Sequence, residues 1–322
     1  MVPVLAGCSA SPAVAPFPGS SGTTAPSGTP GAASPGSAPS VPAAATAEQA
    51  LSAYAAAILT GPQRKDLSGD VRRLLTFLRD AHADHALALA GDDPASRPTT
   101  AAPSPSATAP SMTKVSLRTS LGRLARHEAD QASAQRRAAA GATGLTALLS
   151  GSLAVAAESY AAALGAKSTP TVSALKTHRP AALLSDVEAT QQLVAQLHAV
   201  VYGYQLAIGK LASSSSARRR ALSELTATRR ALDTHVAFLL GRKADVPAAE
   251  PAYAPSFDVR SPGDARRLVR GMQTRLQPYA GLVLAAASTP KARTAALATL
   301  RTTNRTARSW GAPLQAWPGW GD

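Results

Sequence analysis

Metal or proton chemistry in this chain rests on 6 histidines, 19 acidic side chains and 1 cysteine among 322 residues. His82 and His85 stand three apart, so on a helix both imidazoles leave one face and can reach one ion. Asp80 and Asp84 lie beside them, and His127, Glu128 and Glu158 follow at a distance. The candidate metal ligands are therefore His82, His85, Glu128 and Glu158. Two facts weigh against them. No second histidine pair completes a set, and a solvated polar stretch with one histidine at the core edge explains the same residues. Carboxylate-bridged di-metal bundles need Glu-x-x-His on two helices and a glutamate on each of two more. None of the six glutamates here is followed by histidine three residues later, and 265–310 contain no Asp or Glu. A di-metal site among the C-terminal helices is thus not expected, and no cofactor is implied.

Other chemistry is sparser. The chain has no glycine-rich phosphate loop and no Gly-x-Ser-x-Gly, and no catalytic residue can be designated. Arg218, Arg219 and Arg220 open one helical segment, and Arg229 and Arg230 follow about three turns later, by the ordinary helical repeat. They make a candidate anion-binding stripe, with a solvated helix face as the plain alternative. Trp310, Trp317 and Trp320 crowd the C-terminus. Packing of the tail over a bundle end accounts for them, against a carbohydrate or peptide site.

The elements that must position these residues read as helices throughout. Hydrophobic residues make up 45% of the chain but aromatics only 4%, so Ala and Leu carry the apolar content. Those are strong helix formers, and strands would want β-branched and aromatic residues. Thr46-Ala47-Glu48-Gln49 reads as a capping box opening a short helix that Gly61 closes. From 67 to 89, Leu67, Val71, Leu74, Leu78, His82, His85 and Leu89 recur at spacings of 3 and 4, one helix face. Further helices are expected over 113–140, with Leu117, Leu121 and Leu124 inward, and over 144–164. After 181 the pattern sharpens. Ser185 caps a helix whose seam is Val187, Val194, Leu197, Val201, Tyr204, Ile208 and Leu211. The next carries Leu222, Leu225, Leu232, Val236 and Leu239. Ser261-Pro262 and Thr289-Pro290 each open another, separated from the first pair by a Pro-rich crossover at 247–260.

The N-terminus has a different character. Leu5-Ala6-Gly7-Cys8 matches a lipobox, the cleavage-and-lipidation signal of bacterial lipoproteins, although only four residues precede it where a signal peptide needs a basic region and an apolar core. A start upstream of Met1 would supply them. Residues 9–45 follow without one charged side chain, rich in Pro, Gly, Ser, Thr and Ala. Such a tract cannot bury a core and should serve as a disordered tether. The expected organisation is a signal remnant at 1–8, a linker at 9–45, a helical region at 46–165 with a flexible loop at 92–112, a linker at 166–180, and a bundle at 181–322. No run of 18 apolar residues is seen, so no spanning helix is expected. The expected location is the extracytoplasmic face of the cell membrane, anchored through Cys8.

The last stretch resembles a known family. Leu197-His198-Ala199-Val200-Val201-Tyr202-Gly203-Tyr204, Pro251-Ala252-Tyr253-Ala254-Pro255-Ser256-Phe257, and Arg308-Ser309-Trp310-Gly311-Ala312-Pro313 through Trp317-Pro318-Gly319 are similar to the ferritin-like domain of unknown function found in actinobacterial lipoproteins, over about residues 183–320. The resemblance implies an all-α fold with a ferritin-like four-helix bundle in the C-terminal half, and an anchored location. It implies no activity. Net charge is +14, and most of it follows residue 165: 21 basic against 9 acidic, compared with 12 against 10 before. Such a half attracts anionic lipids or wall polymers; a specific nucleic-acid site would want stacking aromatics that are missing. No protein partner can be named. The leading expectation is a non-enzymatic binding or scaffold module. The alternative is a ferritin-like metal-binding protein or metal-dependent oxidoreductase using His82, His85 and nearby carboxylates.

Overall fold

Local signals set most helix starts. Ser68 Oγ accepts from the Val71 amide and Ser116 Oγ from the Thr119 amide. Ser185 and Glu188, like Ser261 and Asp264, cap each other reciprocally, which satisfies amide donors that a bare helix start leaves open. The computed structural model describes residues 41–91, 115–175 and 183–321. Among them are eight α-helices: α1 Val41–Thr60, α2 Gly69–Ala90, α3 Leu117–Gly141, α4 Gly144–Leu164, α5 Asp186–Lys210, α6 Ser216–Gly241, α7 Pro262–Ala286 and α8 Pro290–Ser309. The lipidation expected at Cys8, the linker as far as residue 40 and the loop 92–112 lie outside the described residues.

Two expectations at the start of the helices are corrected. Thr46 does not cap α1; its hydroxyl donates to the Pro42 carbonyl one turn back, inside the helix. The helical run already includes 41–45, and Ala44 and Ala45 are buried, so apolar contact overrides the capping pattern. Leu222 is not a seam residue either: it is 45% exposed, while Leu225 and Leu239 face inward. α4 is the most apolar of the helices in character. Its 21 residues are long and apolar enough to cross a membrane, but here Leu148, Leu149, Leu153, Val155 and Tyr160 are buried in the core.

α1 packs on α2 and α3 on α4, with α1 also meeting α3. Beyond them α5 packs on α6 and α7, and α7 on α8. The two sets meet where α4 lies on α7 and α8, and α3 on α8. Leu284, Leu297 and Leu300 join Ala139 and Val155 in that seam. The tail after α8 runs back to the first set. Leu314, Ala316, Trp317 and Trp320 belong to the core of α1–α4. Leu314 pairs with the backbone of 171–173, donating to Thr171 O and accepting from Ser173 N at 2.9 Å each. Part of the stretch read as the linker 166–180 is thereby tied to the tail. The close approach needs glycine. Gly319 sits at φ +93°, and a Cβ on Gly281 would overlap the Gly319 carbonyl.

Candidate metal centre

One buried carboxylate organises the site. Glu48 lies on the apolar stripe of α1 with Ala44, Leu51, Ala55 and Ile58, and is 1% exposed. His82 and His85, on the buried face of α2, are each 1% exposed as well. Glu48 Oε2 lies 2.6 Å from His82 Nδ1 and 3.1 Å from His85 Nδ1. Its other oxygen accepts from Gln131 Nε2 at 2.8 Å. On the far side of His82, Nε2 faces Glu128 Oε1 at 2.8 Å. On the far side of His85, Nε2 donates to the Ala316 carbonyl at 2.9 Å. Tyr160 walls the site, its ring centroid 5.5 Å from that of His82, and Trp317 lies edge-on to His85 at 4.6 Å.

The tautomers follow from the acceptors. The Ala316 carbonyl can only accept, so His85 Nε2 carries a proton, which leaves its Nδ1 lone pair pointing at Glu48 unless a second proton or a cation intervenes. His82 lies between two carboxylates. Burial opposes its charge, but Glu128 and Glu48 hold the imidazolium, pushing its pKa up to about 10. Burial would also raise Glu48; the His82 and His85 imidazoles overcome that and hold its carboxyl well below the usual range. Burial does win at Glu128, whose pKa is raised. Glu128 Oε2 is buried and makes no hydrogen bond.

These facts revise the sequence reading of the candidates. His82, His85 and Glu128 do converge, and neither histidine belongs to a solvated stretch. Glu158 is elsewhere: it accepts from Arg136 and from Arg301 Nε at 2.8 Å on the other face of α4. His127 is exposed and packs near Tyr54, while Asp84 accepts from Trp317 Nε1 at 2.8 Å. Asp80 pairs with Arg79 at 2.7 Å. Glu48, Gln131 and Tyr160 were missed. A lone glutamate on an otherwise apolar stripe was the available signal, masked by the capping pattern that Thr46 suggested. The arginines of α6 stay apart from this centre: Arg218 is half-buried, Arg219 donates to Ser214 O, Arg220 lies over Trp310 at 5.4 Å, and Arg229 and Arg230 are exposed.

As a donor set, Glu48 Oε2 and the two Nδ1 atoms lie within 4.8 Å of one another. A tetrahedral ion with nitrogen and oxygen ligands holds them about 3.3 Å apart, a spacing between the present contacts of 2.6 and 3.1 Å and the 4.8 Å that bounds the set. Each imidazole would then keep its Nε2–H on an acceptor, Glu128 or Ala316 O, the arrangement that orients metal-bound histidines. Residues 189–322 match the family model of a domain of unknown function (DUF4439). No curated protein and no solved structure matches the chain. Glu48, His82, His85 and Glu128 all precede the matched stretch, whereas Ala316 and Trp317 fall inside it.

Proposed function

We propose that this chain is a membrane-tethered, metal-binding helical protein of ferritin-like build, holding one divalent first-row ion between Glu48, His82 and His85. The observation that carries it is the convergence of two imidazole Nδ1 atoms on one carboxylate oxygen, with each Nε2 already on an acceptor. Mixed nitrogen and carboxylate donors suit zinc, iron(II) or manganese(II). Di-metal bundles present Glu on two helices and Glu-x-x-His on two others. Here α1 gives Glu48, α2 gives His82-x-x-His85, α3 gives Glu128-x-x-Gln131, and α4 gives Tyr160. That is enough for one ion and short of two. Enclosure by Tyr160, Trp317 and the tail favours a retained ion over an open catalytic one.

Elemental analysis of the purified protein tests this. About one zinc, iron or manganese per chain is expected, lost on dialysis against a chelator and regained on adding the metal alone. Glu48→Gln, which keeps shape and burial, should abolish uptake while circular dichroism stays helical. A chain that remains metal-free after loading would leave the cluster as a proton-filled ion-pair network and return the protein to the binding or scaffold reading.

A further inference from the structure

A cavity of about 300 Å³ opens between α4 and α8. Its lining includes Glu158, Ser159, Arg301, Asn304, Arg305 and Arg308. Arg301, Arg305 and Arg308 stand at i, i+4 and i+7, so three guanidinium groups leave one face of the last two turns of α8. Only one is neutralised by a carboxylate of the lining. Arg301 Nη2 pairs with Glu158 Oε1 at 2.8 Å, and Arg136 meets the same carboxylate from α3. Two arginines thus share the single negative charge of this cavity. Arg308 is half-buried: its Nη1 is shut off from solvent, and so from the open cavity, while the rest of its side chain contributes to the lining. Between them Asn304 Nδ2 donates to Ser159 Oγ at 2.7 Å, and Ser159 donates on to Val155 O at 2.9 Å. The polar floor is therefore already fixed.

Arg305 and Arg308, one exposed and one half-buried, leave a concave positive surface that no carboxylate of the lining neutralises, and an oxyanion meets such a surface with charge-assisted hydrogen bonds. The volume exceeds what an inorganic ion fills and lies at the small end of organic-ligand sites, which start at about 300 Å³. We infer that this cavity binds a small phosphate monoester, its phosphate held by Arg305 and Arg308. Burial lowers the pKa of Arg308, yet a guanidinium stays charged in proteins, so the site keeps its positive field. This assignment is independent of the metal reading: the residues differ, and the two can fail separately.

The test is calorimetry on the chelator-treated full-length protein at low ionic strength, titrated with inorganic phosphate and with glycerol 3-phosphate. Saturable binding is expected for both, tighter for the ester. Arg305→Gln, at an exposed position, should weaken it about tenfold, and Arg308→Lys by a similar factor, because a point charge replaces a planar fork. Arg123→Gln, an exposed change on α3, should leave it unaltered. Circular dichroism and melting temperature identify any variant that fails to fold, and Arg305→Gln then carries the comparison. Absence of saturable binding by either soluble phosphate overturns the proposal, as does binding that Arg305→Gln and Arg123→Gln weaken alike. Vesicles of phosphatidylglycerol form the last arm. If they bind through Arg305 and Arg308 while neither soluble phosphate does, the ligand is a lipid surface and the proposal is wrong.

Discussion

Glu48 divides its two oxygens between tasks: Oε1 is fixed by Gln131, and Oε2 is shared by two imidazoles. Removing that charge by Glu48→Ala leaves His82 and His85 facing a void, and breaking a buried charged pair costs about 3–5 kcal/mol. Urea denaturation should show a loss of that order. The same network sets a pH dependence for the metal-free protein. An unfolded histidine titrates at about 6.5, and folding raises His82 to about 10. The folded state therefore holds its proton more tightly. That stability is complete below about pH 6.5 and is lost as pH rises towards 10. The melting temperature of chelator-treated protein should fall across that window, and the fall should shrink in His82→Gln. A stoichiometric amount of zinc should oppose the trend, since the imidazoles give up protons to bind it. The face of α2 that carries both histidines is legible in sequence, because Leu74, Leu78 and Leu89 share it at helical spacing. Their partners are not. Glu48 and Glu128 lie 34 and 46 residues from His82, and the Ala316 carbonyl 231 from His85, separations to which periodicity is blind.

Among the elements, α2 and the tail after α8 define the site together, because His85 rests on a carbonyl that only the tail supplies. Trp317 is 7% exposed, packs on His85 and donates to Asp84. Trp317→Ala should cost about 3–5 kcal/mol, the range for truncating a large buried aromatic. It should also weaken metal retention by freeing His85, a loss that chelator competition would measure. If stability drops while metal affinity is unchanged, the tail supports the core without shaping the centre. The helix starts at Ser185, Ser261 and Thr289 could be read directly, since a cap is a local contact within three residues. The destination of the tail could not. Three tryptophans and three glycines announce a packed segment, but the partner surface is formed by α1–α4, more than 150 residues earlier for Tyr160, whose hydroxyl donates to the Gln315 carbonyl. The seam of α5 was read with the right period and a partly shifted face. Ala189, Leu193, Val200 and Ala207 are buried in addition to Val194, Leu197, Tyr204 and Leu211, because α7 covers one flank and α6 the other.

At the scale of the whole molecule, the placement of charge and of Cys8 bear on where this centre works. The lipobox expected over residues 5–8 ends at Cys8, and the first described helix begins at Val41. Expressed behind a complete signal peptide that ends in its own Leu5-Ala6-Gly7-Cys8, the chain should take up a lipid label and partition into detergent, and Cys8→Ala should do neither. Persistence of the label in that variant would refute the anchor. A tether of that kind would hold a strongly basic surface beside anionic headgroups. Each basic residue near such a surface contributes about 1 kcal/mol and fades within a Debye length. Among the arginines of α6, Arg219, Arg220, Arg229 and Arg230 are exposed, and Arg218 is half-buried. The Cys8→Ala protein, having lost its anchor, should still bind anionic vesicles at low salt and let go near physiological ionic strength. Changing Arg218, Arg219, Arg220, Arg229 and Arg230 to Gln should remove most of that binding while leaving metal content and phosphate affinity as they were. Vesicle binding that survives high salt, or that these five substitutions do not reduce, would mean that contact with the membrane depends on something other than the charge of this helix.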